Sequence, residues 1–166
     1  LIQNIFSSTK AISSIVIAML VDRGYLRYDM SIADIWPEFS QLDKHIITLE
    51  DLMKHESGMD KFSFVILASQ LHRESIKAGV VGKMIAETHS KRVVNKEPER
   101  SYHFLTRDII LNEIVRRADP KGRTIGEFVR DEIATPLKIQ DQLTIGPETL
   151  QQSHNLFPLV RKKSIW

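Results

Sequence analysis

Ser7 and Lys10 stand three residues apart in Phe6-Ser7-Ser8-Thr9-Lys10, directly before the apolar run Ala11 to Val21. At the start of a helix this spacing puts both side chains on one face of the first turn, within mutual reach. A hydroxyl is a poor nucleophile at neutral pH, and a lysine whose ammonium is destabilised by burial or by a neighbouring cation can take its proton. The pair can therefore form an activated nucleophile. The same spacing also fits a serine N-cap followed by a solvated lysine, so these residues alone leave both readings open.

The element that must position the pair is the segment Thr9 to Arg23, apolar on nearly all sides, with Gly24 as its stop. A helix apolar all round is expected to be covered all round, which sets Ser7 and Lys10 at the mouth of a central element. It is too short to span a membrane, which takes roughly 18 uninterrupted apolar residues. Asp22-Arg23-Gly24 follows it without a small-residue cleavage pattern, so it is no signal-peptide core.

Beyond it, Tyr25 to Phe39 reads as a loop with a short turn. Thr48-Leu49-Glu50-Asp51 has the form of a capping box and opens a short helix through Lys54, ending at Ser57-Gly58. Lys61 to Thr88 predicts one or two helices interrupted by Gly79 and Gly82, and Lys91 to Ser101, with Pro98, a loop. Phe104 to Arg117 is helical again, Asp119-Pro120-Lys121-Gly122 is a turn, and Thr124, with Glu127 three residues on, caps a helix to about Thr135, before Pro136. After Leu137 the chain turns irregular, with a short strand signal at Gln142 to Ile145. Strand signal is otherwise nearly absent, and the fold class is mainly α.

With 166 residues, 42% of them hydrophobic and 27% charged, the chain can bury one ordinary core. Its 23 basic and 21 acidic residues are interspersed, so no face is set aside for nucleic acid or anionic lipid. The absence of cysteine excludes disulfides and thiolate metal sites. His45, His72, His89 and His154 show no metal-ligand spacing, and no cofactor motif is present, so neither metal nor cofactor is expected. The compartment is left undetermined. A first residue of Leu1 instead of Met is expected of a fragment or a processed product.

Taken together, Phe6 to Lys10, Met19 to Gly24 and the block Ile47-Thr48-Leu49-Glu50-Asp51-Leu52-Met53-Lys54-His55-Glu56-Ser57-Gly58-Met59 resemble the serine beta-lactamase-related family. That family groups class C beta-lactamases, penicillin-binding D,D-peptidases, family VIII esterases and LACTB-type animal proteins. Tyr102-His103-Phe104-Leu105-Thr106-Arg107, with Asn112 to Arg117 and Asp119 to Phe128 behind it, is similar to the second catalytic block of the animal and esterase-like branch. The resemblance covers roughly residues 1–146, a partial domain corresponding to the helical portion of the α/β fold, with most of its antiparallel sheet missing and an irregular tail at 147–166.

What the resemblance implies is a Ser-Lys-Tyr acyl-transfer site. Ser7 would be acylated, Lys10 would hold or take its proton, and Tyr102 would relay protons as general base and acid. A phenol near pKa 10 becomes a useful base only when a cation such as Lys10 stabilises the phenolate. Read without the family, Tyr102 is an aromatic that packs its ring and hydrogen-bonds its hydroxyl at a loop end. Phe104 departs from the pattern, standing where an asparagine or its equivalent is usual, and an apolar ring cannot hydrogen-bond a substrate amide. The Lys-Thr-Gly or His-x-Gly block that supplies an oxyanion N–H has no counterpart before Trp166.

The remaining histidines and charges read as structural. His55 is expected to shape the loop beneath the site, His103 to pack or point to solvent, and the pairs Lys91-Arg92 and Arg116-Arg117 to be solvated. Two functions follow. One is a serine hydrolase acting through an acyl-enzyme on a small-molecule ester, amide or peptide-like substrate. The other is a truncated, inactive relative serving as a binding or assembly module, whose uncovered apolar surface would favour association. A homo-oligomer is compatible with either.

Overall fold

The computed structural model describes residues 3–146; the tail expected at 147–166 lies outside them. Helix α1 (Thr9–Asp22) follows without a break from a 3-10 turn at Phe6–Ser8. It buries Ser13, Val16, Ile17 and Leu20, the i, i+3, i+4, i+7 stripe of one helix face, against α5 (Thr106–Ala118) and α6 (Ile125–Val129). Burying each of the larger apolar side chains contributes roughly 1.5–3 kcal/mol relative to exposure. The opposite stripe, Ala11, Ile15 and Ala18, is exposed, with Ile15 at 49%. The expectation of a helix covered on every side is therefore corrected: among the described residues α1 is covered on the α5 and α6 side only.

The segment after α1 wraps the core in three 3-10 turns, Ile32–Asp34, Pro37–Ser40 and Lys44–Ile46, which bury Trp36 and Phe39. Ser31 and Thr48 form an isolated antiparallel bridge, and no strand occurs among the described residues. Helix α2 (Leu49–Met53) starts as its sequence requires: Thr48 Oγ1 accepts from Asp51 N–H, and Thr48 N–H donates to Asp51 Oδ2. Thr124 and Glu127 repeat the device at α6, which continues into one π turn at Arg130–Ala134.

The predicted helical stretch Lys61 to Thr88 is shorter than expected. It holds a 3-10 turn at Ala68–Leu71, α3 (Arg73–Lys77) and α4 (Val80–Ala86), separated by Gly79 in the left-handed region at φ 73°. Residues 61–67 are not helical because their apolar residues alternate: Phe62, Phe64 and Ile66 pack inward while Val65 and Leu67 face out, the period of extended chain. The strand signal at Gln142 to Ile145 is also corrected. The chain turns there, with Gln142 and Leu143 N–H groups both on Ile139 O, and among the described residues there is no strand for it to pair with.

Four cations, Lys44, Arg116, Arg117 and Arg123, are built into the fold. Lys44 is fully buried and donates to Gln41, Ala86 and Thr88 carbonyls at 2.8, 2.9 and 2.7 Å, tying its turn to the end of α4. Arg116 and Arg117, expected to be solvated, both pair with Glu113, which is 1% exposed, and the Arg117 guanidinium lies 4.3 Å from the Trp36 ring centroid. Arg123 clasps Asp119 through three hydrogen bonds and reaches Glu132, which also pairs with Arg23 at the end of α1.

Candidate active site

Ser7 sits in the 3-10 turn that opens α1, and Lys10 one turn in, so the sequence spacing does put both at the same helix mouth. Phe6, directly before Ser7, is in the left-handed region at φ 47°, an unfavourable conformation for a bulky side chain. Tyr102 arrives from the loop before α5, and its hydroxyl hydrogen-bonds Ser7 Oγ at 2.8 Å, although 95 residues separate the two in sequence. Lys10 Nζ lies 5.3 Å from the Tyr102 ring centroid and donates to Phe104 O at 2.7 Å. The three residues singled out from sequence thus share one site.

The Tyr102 phenol is lowered from its ordinary value. The Ser7 hydrogen bond contributes most and the Lys10 charge adds to it, while partial desolvation and the Asp108 carboxylate oppose them. Lowering is the direction a phenol needs to act as a base near neutral pH. Phe104 supplies its backbone carbonyl to Lys10, while its ring is 60% exposed and offers no hydrogen bond at the mouth.

Several residues that sequence reasoning left aside hold this trio. Asp108 on α5 lies with Oδ2 3.6 Å from Lys10 Nζ, while its Oδ1 accepts from Ser13 Oγ and from Arg107 Nη1, both at 2.8 Å. Arg107, 3% exposed, donates onward to Ser14 Oγ at 2.7 Å. One carboxylate therefore neutralises two cations and ties α5 to the first turns of α1. The signal for this was present as an adjacent Arg-Asp pair inside an otherwise apolar helical stripe.

Beneath Tyr102, His103 is fully buried, its Nδ1 on Ser101 O and its Nε2 2.7 Å from Ser57 Oγ. A carbonyl can only accept, so Nδ1 carries the proton and neutral Nε2 accepts from the Ser57 hydroxyl. Burial lowers the pKa of His103, outweighing the Ser101 bond and the Asp60 charge, and burial likewise lowers that of His55. Of the two placements expected for His103, packed or facing solvent, the fold gives the first, with a fully buried and hydrogen-bonded ring.

A cleft of about 930 Å³ opens beside Ser7 and Lys10 and runs along α5 past Asp108 and Ile109 to Gly126. Phe6, Phe104 and Leu105, each at least 60% exposed, form an apolar rim beside Ser7. Among the described residues no three His, Asp or Glu side chains converge as a metal site, and no helix is long and apolar enough to cross a membrane.

Comparison with known proteins gives a consistent answer. The chain is 27% identical over 146 residues to the esterase/beta-lactamase LipL of Mycobacterium tuberculosis, covering 86% of this chain and 30% of LipL. Its structure matches that of a penicillin-binding protein homologue from Caulobacter crescentus, with a TM-score of 0.80 and 31% identity over 98% of this chain and 41% of the homologue. A family VIII carboxylesterase shares the fold, with a TM-score of 0.75 at 23% identity, covering 91% of this chain and 39% of the esterase. The chain thus spans well under half the length of these relatives, and its helices are the helical part of the beta-lactamase and penicillin-binding-protein fold. Residues 2–152 match the family described as Beta-lactamase, and the chain belongs to that family.

Proposed function

We propose that Ser7 is the acylated nucleophile of a serine hydrolase whose proton relay is Tyr102, assisted by Lys10, and whose substrate is an ester, amide or peptide-like carbonyl compound. The observation that carries this reading is the 2.8 Å hydrogen bond between Tyr102 and Ser7 hydroxyls beside the Lys10 ammonium. In the acylation step Tyr102, as phenolate, takes the Ser7 proton while Oγ bonds to the substrate carbonyl carbon. The tetrahedral intermediate then expels the leaving alcohol or amine, which receives that proton from Tyr102. Water reverses the roles: Tyr102 accepts its proton, hydroxyl adds to the acyl carbon, and Ser7 leaves with the proton as the carboxylic acid departs.

Lys10 contributes a positive charge close to the phenolate and to the oxyanion formed beside Ser7, where the opening turn of α1 adds its own positive potential. The exposed Phe104 ring and the apolar rim favour an ester over a substrate that needs an amide hydrogen bond at that position.

The test is a serine-directed fluorophosphonate applied to the full-length protein and its Ser7→Ala variant. Covalent labelling at Ser7, absent in the variant, is the expected result. Equal labelling of the two removes Ser7 as nucleophile and leaves the non-catalytic binding module as the reading.

A further inference from the structure

His55 occupies a position where the backbone prefers glycine. It follows the C-cap residue of α2, Lys54, with φ 66°. Its N–H donates to Leu52 O at 3.2 Å, and the next residue, Glu56, donates to Asp51 O at 2.7 Å. Those two bonds form a Schellman ending, in which the left-handed residue is usually Gly and sometimes Asn. A histidine there makes the turn less favourable than glycine would, so what its side chain does must be sought elsewhere.

Its contacts beyond the turn converge on the tripeptide Ser101-Tyr102-His103, the His103 ring included at 5.4 Å between centroids. Ser101 N–H donates to His55 O at 2.9 Å, and His103 N–H donates to His55 Nδ1 at 3.0 Å, so the residues on either side of Tyr102 are both held by His55. The imidazole also packs on the Tyr102 ring, with centroids 5.0 Å apart and planes tilted by 46°. Tyr102 is itself 53% exposed, and its hydroxyl bonds Ser7. The Lys10 ammonium at 5.3 Å and the Phe104 ring at 6.3 Å from its centroid also flank the ring, and the clamp adds the His55 imidazole to them.

We infer that His55 is a positioning residue for Tyr102: its carbonyl and Nδ1 grip Ser101 and His103, its ring backs the phenol, and together they hold the hydroxyl in reach of Ser7. This rests on the proposed role of Tyr102 in proton transfer. The α2 ending and the catalytic loop are thereby one unit, with the shape of the turn delivering the imidazole to the loop.

Two variants separate the side chain from the backbone. His55→Gly relaxes the left-handed turn and keeps the carbonyl bond, but loses the acceptor and the ring. In His55→Asn, Oδ1 takes the place of Nδ1, and asparagine tolerates the same φ. Both are compared with wild type and Tyr102→Phe in the full-length protein by the rate of fluorophosphonate labelling at Ser7, with melting temperature as the fold control. The expected result is a folded His55→Gly that labels about tenfold or more slowly, as a loosened catalytic group should, while His55→Asn recovers most of the rate. A slow Tyr102→Phe beside a His55→Gly of wild-type rate overturns the positioning role alone. A His55→Asn as slow as His55→Gly does the same, since the acceptor would then not matter. Wild-type labelling in Tyr102→Phe overturns the relay, and the inference with it. Should His55→Gly fail to fold, a folded His55→Asn decides by itself, its wild-type rate supporting the clamp and its loss refuting it.

Discussion

Replacing Lys44 with methionine tests how far a buried cation, rather than the apolar core, fastens the first half of the chain to α4. The side chain is 0% exposed, and its ammonium makes hydrogen bonds to Gln41, Ala86 and Thr88 carbonyls. Gln41 O keeps a second donor in the Lys44 N–H, whereas Ala86 O and Thr88 O lose the ammonium that satisfies them. Leaving a buried acceptor unpaired costs about 1–3 kcal/mol, so two of them cost about 2–6 kcal/mol. Methionine fills similar volume and spares the desolvation of a charge, which offsets part of that loss. A net destabilisation of about 3 kcal/mol is expected, or about 6–12 °C in Tm for a domain of this size. Burial lowers the Lys44 pKa, so in the alkaline window below the ordinary lysine value of about 10.4 the unfolded chain binds more protons than the folded one. Wild-type stability therefore carries a contribution that rises with pH through that window, and Lys44→Met lacks it. Thermal melts of both proteins at pH 7 and pH 9.5 read both effects. A Tm within about 2 °C of wild type refutes the reasoning, because the Ala86 and Thr88 carbonyls would then be satisfied without the ammonium.

Tyr102→Phe is expected to slow acylation of Ser7 by about 10²–10⁴-fold, the usual worth of a general base, while leaving Tm unchanged because the ring packing on His55 survives; stopped-flow hydrolysis of an activated ester measures the first and calorimetry the second. Arg123→Met strands the Asp119 carboxylate, whose side chain is 2% exposed. Burial alone would raise that acid, but the Arg123 hydrogen bonds outweigh it and hold it below its ordinary value. A loss of about 3–5 kcal/mol is expected in urea unfolding. Finally, the pKa of His103 is lowered by burial, so the native state keeps it neutral after the unfolded chain has taken up a proton. Stability is full above about pH 6.5 and falls as pH drops from there through the lower folded value; melts at pH 7.5 and 5 should show a smaller drop in His103→Gln.

Much of the local structure was legible because its causes lie within three or four residues. The capping boxes at Thr48 and Thr124, the turn at Asp119 to Gly122 and the helical character of α1 and α5 follow from side-chain spacing alone, whereas the buried face of α1 does not. The stretch from Lys61 to Thr88 was misread where apolar residues at alternating positions look like part of a helix until neighbours show which face is buried. Of the site, Ser7 and Lys10 were legible as a pair, and Tyr102 through the family resemblance.

Charge was the least legible property. Lys44, Arg107, Arg116, Arg117 and Arg123 look alike in sequence, as cations in a well-mixed chain, and only the fold separates buried struts from solvated surface. The helical class, the helix start that carries Ser7 and Lys10, and the family follow from the sequence by itself, since periodicity, capping and motif order are local or ordered along the chain. The meeting of Tyr102 with Ser7 across 95 residues, the bridging of Lys10 and Arg107 by Asp108, and the hydrogen bond of His55 to the loop carrying Tyr102 were decided by the tertiary structure. Such contacts depend on how α1, α2 and α5 pack, and the direction in which a side chain leaves its element is set by that packing.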